Sequence, residues 1–120
     1  MIIVNKNEGA KIPYEADGKR MCFADDLTIN LAKREQDWNV HIDICHDEDG
    51  ELVIGAAAGR RYVAEIDIPK RSYTEVEDKD SGSDMQGMDG TKIKSVPVPL
   101  DMEKVTLSLW SIEKGGIFNV

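Results

Sequence analysis

The sequence predicts an all-β fold, a single antiparallel β-sandwich or partly open barrel of about seven to nine short strands. Three observations carry that expectation. Apolar and polar residues alternate with period two along Trp38-Asn39-Val40-His41-Ile42-Asp43-Ile44-Cys45, the spacing of a strand with one buried face. Turn signals built from Asp-Gly, Gly and Pro fall between this run and others like it. The 120 residues, 41% hydrophobic and 32% charged, suit one globular domain over residues 1–120 with enough apolar side chain for a core.

The elements follow in chain order. Met1-Ile2-Ile3-Val4-Asn5-Lys6 is a short apolar burst with no basic flank and no long apolar continuation, which is not a signal-peptide pattern. Ala16-Asp17-Gly18-Lys19 reads as a turn that joins Ile12-Pro13-Tyr14 to Arg20-Met21-Cys22-Phe23 in a hairpin. Residues 25–36 admit two readings. Leu27, Ile29 and Leu31 alternate as a strand, whereas Asp25 can cap a short helix that stacks Leu27 on Leu31 and makes the fold α+β. The β-branched Thr28 and Ile29 favour the strand, which leaves residues 33–37 as a charged connection into an antiparallel meander.

After the strand through Val40, Ile42 and Ile44, the acidic Asp47-Glu48-Asp49-Gly50 reverses the chain and Leu52-Val53-Ile54 completes a hairpin. Tyr62, Ala64, Ile66 and Ile68 share one face of the next strand, which Pro69 ends. Residues 92–100 are extended, but Pro97 and Pro99 each remove a backbone donor, which places the segment at a sheet edge. Val105, Leu107 and Leu109 alternate with Thr106 and Ser108, and Trp110 falls on the polar phase, where packing against a second sheet is favoured over a role as an exposed contact residue. Residues 74–91 differ in kind. Glu75, Glu77, Asp78, Asp80, Asp84 and Asp89 stand against Lys79, and Gly82, Gly87 and Gly90 loosen the backbone, so a mobile acidic surface loop is expected.

Charge excludes several classes of function. The 15 Lys+Arg against 23 Asp+Glu leave a net −8, which opposes direct nucleic-acid binding because that affinity comes largely from cations displacing counterions. The same charge opposes an anionic membrane surface, and no run approaches the ~20 apolar residues of a membrane span. Cys22 and Cys45 are too few for a disulfide framework and lack zinc-ribbon spacing, so both are read as reduced thiols of a cytoplasmic protein.

The densest set of possible metal ligands is His41, Asp43, Cys45, His46 and Asp47, with His41, Asp43 and Cys45 at its centre. Alternation sets the three on one strand face, and imidazole, carboxylate and thiolate all ligate zinc. No second ligand pair stands elsewhere, and the polar face of an amphipathic strand explains the same residues. Cys45 and His46 point to opposite faces, so they do not make a nucleophile and its base. Asp47-Glu48-Asp49-Gly50-Glu51 suits a hairpin turn better than a calcium loop, since the alternating oxygens and distal glutamate of an EF-hand are missing. Nucleotide-binding, hydrolase and protease signatures are absent from the sequence. Arg60-Arg61 and Lys70-Arg71 sit at opposite ends of one strand, too far apart for a single phosphate site.

The leading expectation is therefore a non-enzymatic protein-interaction or accessory domain that contacts another protein, or a second copy of itself. Its surfaces would be a sheet face, the 92–100 edge strand or the 74–91 loop. No catalytic, cofactor-binding or metal-binding residue is assigned, and no cofactor is expected. Two alternatives stand beside it. One is an acidic mimic of nucleic acid that inhibits a DNA- or RNA-binding protein. The other is a small metal-binding protein or hydrolase centred on His41, Asp43 and Cys45.

Overall fold

A computed structural model describes residues 1–57, 59–77 and 93–112, and the backbone of 116–117. Strands dominate it, with one short helix, and they divide among sheets of six, three and two strands, none closed into a barrel. The expected single antiparallel sandwich or barrel of about seven to nine strands is thus corrected to three sheets, with eleven strands among the described residues.

The largest sheet runs in the order β1 (Ile2–Asn5), β10 (Thr106–Leu109), β7 (Arg61–Ile68), β5 (Val40–His46), β6 (Leu52–Ile54), with β11 (Gly116–Ile117) also paired to β7. Its inner face is set by the period-two pattern: Ile42 lies opposite Ile66, Ile44 opposite Ala64, and Ile66 opposite Leu107. All five are buried, and each fully buried Ile or Leu contributes roughly 1.5–3 kcal/mol. The chain does not simply meander here, because β5 lies between β6 and β7. β1 runs parallel to β10, against the expectation of an antiparallel sheet. No local turn links these two segments, so their direction follows from how the rest of the sheet brings the chain ends together.

The second sheet is β2 (Tyr14–Asp17), β3 (Arg20–Phe23) and β4 (Leu27–Asn30). The expected hairpin between the first two forms, with Gly18 at φ +60° in its turn. Within residues 25–36 the strand reading holds for Leu27–Asn30, while the Asp25-capped helix stacking Leu27 on Leu31 does not form; the helix is a separate single turn that starts at Leu31. Ile29 pairs with Met21 in β4, and Leu31–Arg34 then form α1, capped by the Asn30 side chain accepting from the Lys33 amide at 3.2 Å. Met21, Phe23, Ile29 and Leu31 join the sheet residues Ile42, Ile44, Ile66, Ile68 and Leu107 in one hydrophobic core.

Trp38 is the main failure of the alternation pattern. It lies before β5 and is 63% exposed rather than in the core. Tyr62 also leaves its expected face. A register shift at Ile44/Cys45 sets Tyr62 opposite Cys45, and the Tyr62 ring stacks on Trp110 at 6.1 Å. Among the described residues no helix is long and apolar enough to cross a membrane.

Candidate functional site

Two features of the surface stand apart from what the core requires. The first is the two-stranded sheet made by β8 (Tyr73–Glu77) and β9 (Ile93–Pro97), which pair with each other and with no other described strand. The sequence placed residues 74–77 in a loop and residues 92–100 at an edge. The edge assignment holds for β9, whereas 74–77 are a strand, and residues 78–91 of the expected loop lie outside the described residues. Tyr73, Thr74 and Val76 are good strand formers, but the interleaved Glu75 and Glu77 hide the signal.

This ribbon buries neither face. Tyr73 and Ile93 stand on one side and Val76 on the other, at 50%, 65% and 37% exposure. An isolated two-stranded ribbon is only marginally stable in water, and here its base is held by charge and hydrogen bonds. The Arg71 guanidinium donates to the Glu35 carbonyl at 2.9 Å and to Asp37 Oδ1 at 3.2 Å, and the Tyr73 hydroxyl donates to the same Asp37 oxygen at 2.6 Å. The Val98 amide donates to the Ser72 carbonyl at 2.8 Å across the two strands' roots. The ribbon's base is therefore tied to residues 35–37, while among the described strands β8 and β9 pair only with each other.

The second feature is on the outer face of the large sheet. His41 and Asp43 share that face, as alternation requires, and the pairing of β5 with β7 sets Asp67 opposite His41 and Glu65 opposite Asp43. The imidazole lies among three carboxylates, with Nδ1 at 2.6 Å from Asp67 Oδ1 and Nε2 at 2.8 Å from Asp43 Oδ1 and 3.3 Å from Glu65 Oε1. The hydrogen bond to Asp67 is the largest influence on the imidazolium and raises its pKa above the ordinary value. Burial opposes that rise, and Asp43 reinforces it. Glu65 is held in turn by the Trp110 indole, whose Nε1 donates to Oε2 at 2.7 Å. The polar phase of Trp110 was legible in the sequence, and this bond is its result.

Cys45, the third residue of the sequence-predicted set, does not join the cluster as a ligand. Cys45 is fully buried, and Gly59 packs directly against its side chain. Gly59 comes so near that a Cβ built there would lie 2.6 Å from Cys45 Cβ. Burial first, then the charges of Asp43 and Glu65, push the thiol up to about 11, so it stays protonated where a thiolate would be needed to bind metal. Cys22 is partly buried on the other sheet, and both thiols are free. Asp47 behaves as the hairpin turn requires, its Oδ1 accepting from the amides of Asp49 and Glu51 at 2.9 Å each.

Sequence reasoning missed Glu65 and Asp67. Both fall on the polar phase of β7, but only the inter-strand register brings them to His41, and register is not written in one strand's pattern. The chain matches no family model, no curated protein and no solved structure at a significant level.

Proposed function

We propose that this protein is an interaction module whose contact element is the β8–β9 ribbon, received by a cleft on a partner protein with basic walls and an apolar floor. One observation carries the proposal. The ribbon holds Tyr73, Val76 and Ile93 in water on both of its faces, while its base is fixed by Arg71 and Tyr73 on Asp37. Large side chains exposed on a fixed, unsupported element are the usual material of an interface anchor. Charge selects the kind of partner. Glu75 and Glu77 lie on β8 itself, and the whole chain carries −8, so a basic surface is attracted and nucleic acid is repelled.

The test compares the wild-type chain with a Val76→Asp/Ile93→Asp variant in capture from native extract at low and moderate salt, after thermal melts show both fold alike. The ribbon reading expects a basic partner, weakened by salt, recovered by the wild type and lost by the variant. It also expects slowed amide exchange in 73–77 and 93–97 once the purified partner is added. Equal capture by both proteins overturns it. So does recovery of a DNA- or RNA-binding protein that DNA competes off from both chains, which puts the nucleic-acid mimic in its place. Concentration-dependent sedimentation of the chain alone, abolished by the variant, replaces the foreign partner with a second copy.

A further inference from the structure

We propose that His41, Asp43 and Glu65 form a binding site for one divalent transition-metal ion of the zinc class on the outer face of the large sheet. The ligand set comes from two neighbouring strands in register, and no part of the ribbon takes part in it. One imidazole nitrogen and two carboxylate oxygens lie within 4.8 Å of one another.

The side chains that would orient these ligands already touch them. Asp67 Oδ1 lies 2.6 Å from His41 Nδ1 and favours a proton there, which orients the ring with Nε2 toward Asp43 and Glu65. Trp110 occupies Glu65 Oε2 and turns Oε1 toward the same point, 3.3 Å from Nε2. When the imidazole carries its one proton on Nδ1, Nε2, Asp43 Oδ1 and Glu65 Oε1 converge as three acceptors, and either a second proton on Nε2, shared with Asp43 at 2.8 Å, or a metal ion between them relieves the repulsion, so zinc competes with a proton at this point. A tetrahedral zinc with bonds of about 2.0–2.1 Å separates its ligands by roughly 3.3–3.4 Å. The Glu65 separation already meets that value, and the Asp43 contact of 2.8 Å needs to open by only about half an ångström, within reach of a side-chain torsion. His41 is 47% exposed, so water can fill the remaining position from the solvent side.

The nitrogen and oxygen donors select the ion. An imidazole favours zinc over the all-oxygen preference of calcium and magnesium, and Cys45 lies outside the cluster, so no sulfur ligand draws softer metals.

The probe is zinc chloride titrated calorimetrically into chelator-treated, dialysed full chain at constant pH. One ion per chain is expected. Glu65→Gln, which keeps shape and fold, weakens binding by tenfold or more, and Asp67→Asn weakens it by about 10–100-fold through loss of the orienting bond. Cys45→Ala leaves it unchanged. In the wild type, the side-chain nitrogen resonances of His41 shift on zinc addition while those of His46 stay put, a readout that needs no variant to fold. Absence of binding, binding that Glu65→Gln leaves intact, or a shift at His46 in place of His41 overturns the assignment.

Discussion

Gly59 shows how one missing methyl shapes the outer face of the large sheet. A Cβ at that position would meet Cys45 Cβ at 2.6 Å and Sγ at 2.9 Å, both inside a buried contact with no flexible chain end to yield. Gly59→Ala is therefore expected to destabilise the fold by about 1–3 kcal/mol, measured as a drop in the urea midpoint with unchanged m-value. Raised pKa values at His41, through its carboxylate partners, and at Cys45, through burial, govern the alkaline limb of stability. A group that binds its proton more tightly folded than unfolded supports the fold fully below its unfolded pKa, and that support is lost as pH rises through the folded value. In metal-free protein the raised His41 gives a shallow decline above its ordinary 6.5, shallow because the side chain is half exposed. Cys45, raised from 9.0 to about 11, adds a further loss of roughly 2–3 kcal/mol across that interval. Melts at successive pH values check the sign, and Cys45→Ala should flatten the upper limb relative to wild type. At this scale the sequence was half legible: period two put His41 and Asp43 on one face, but the close approach of Gly59 to Cys45 depends on the fold and left no local trace.

At the scale of elements, the ribbon is where local pattern and structure part. A strand buried on one face announces itself by alternation, as Val40, Ile42 and Ile44 do. β8 is exposed on both faces, so its apolar residues follow no burial period and its glutamates make it resemble a loop. The prolines did mark β9 as an edge, because a lost donor constrains pairing whether or not the strand is buried. Since the ribbon gains nothing from the core, its placement depends on Arg71, whose contacts to Glu35 and Asp37 are themselves partly exposed. Exposed ion pairs are worth only about 0.2–1 kcal/mol each, too little to hold up the whole fold. Arg71→Ala is thus expected to lower global stability only slightly while speeding amide exchange selectively in 73–77 and 93–97. A uniform rise in exchange across all sheets would show instead that the base of the ribbon belongs to the core.

For the whole molecule, stability should be graded from the middle of the large sheet outward. β7 pairs on both sides and buries Val63, Ala64, Ile66 and Ile68, whereas all four side chains of β1 are exposed and Ile2, Ile3 and Val4 remain 39–52% accessible. β1 is held by its parallel ladder to β10, flanked by the amide of Ile2 on the Val105 carbonyl and that of Lys6 on Leu109, both at 2.8 Å. Joining the two ends of the chain costs loop-closure entropy that adjacent hairpins avoid, and little apolar burial offsets it. Such a strand opens on its own at a free energy well below that of global unfolding. Native-state hydrogen exchange should therefore rank protection as β7, β5 and β10 slowest, β6 and the three-stranded sheet intermediate, and β1 with the ribbon fastest. Rising urea should leave the β1 rates nearly unchanged while steepening those of β7, because local opening exposes little surface and global unfolding exposes the core. If β1 amides instead follow the same urea slope as β7, the parallel strand is part of the cooperative core, and the exposed Ile2, Ile3 and Val4 are carried by a unit far more rigid than their burial implies.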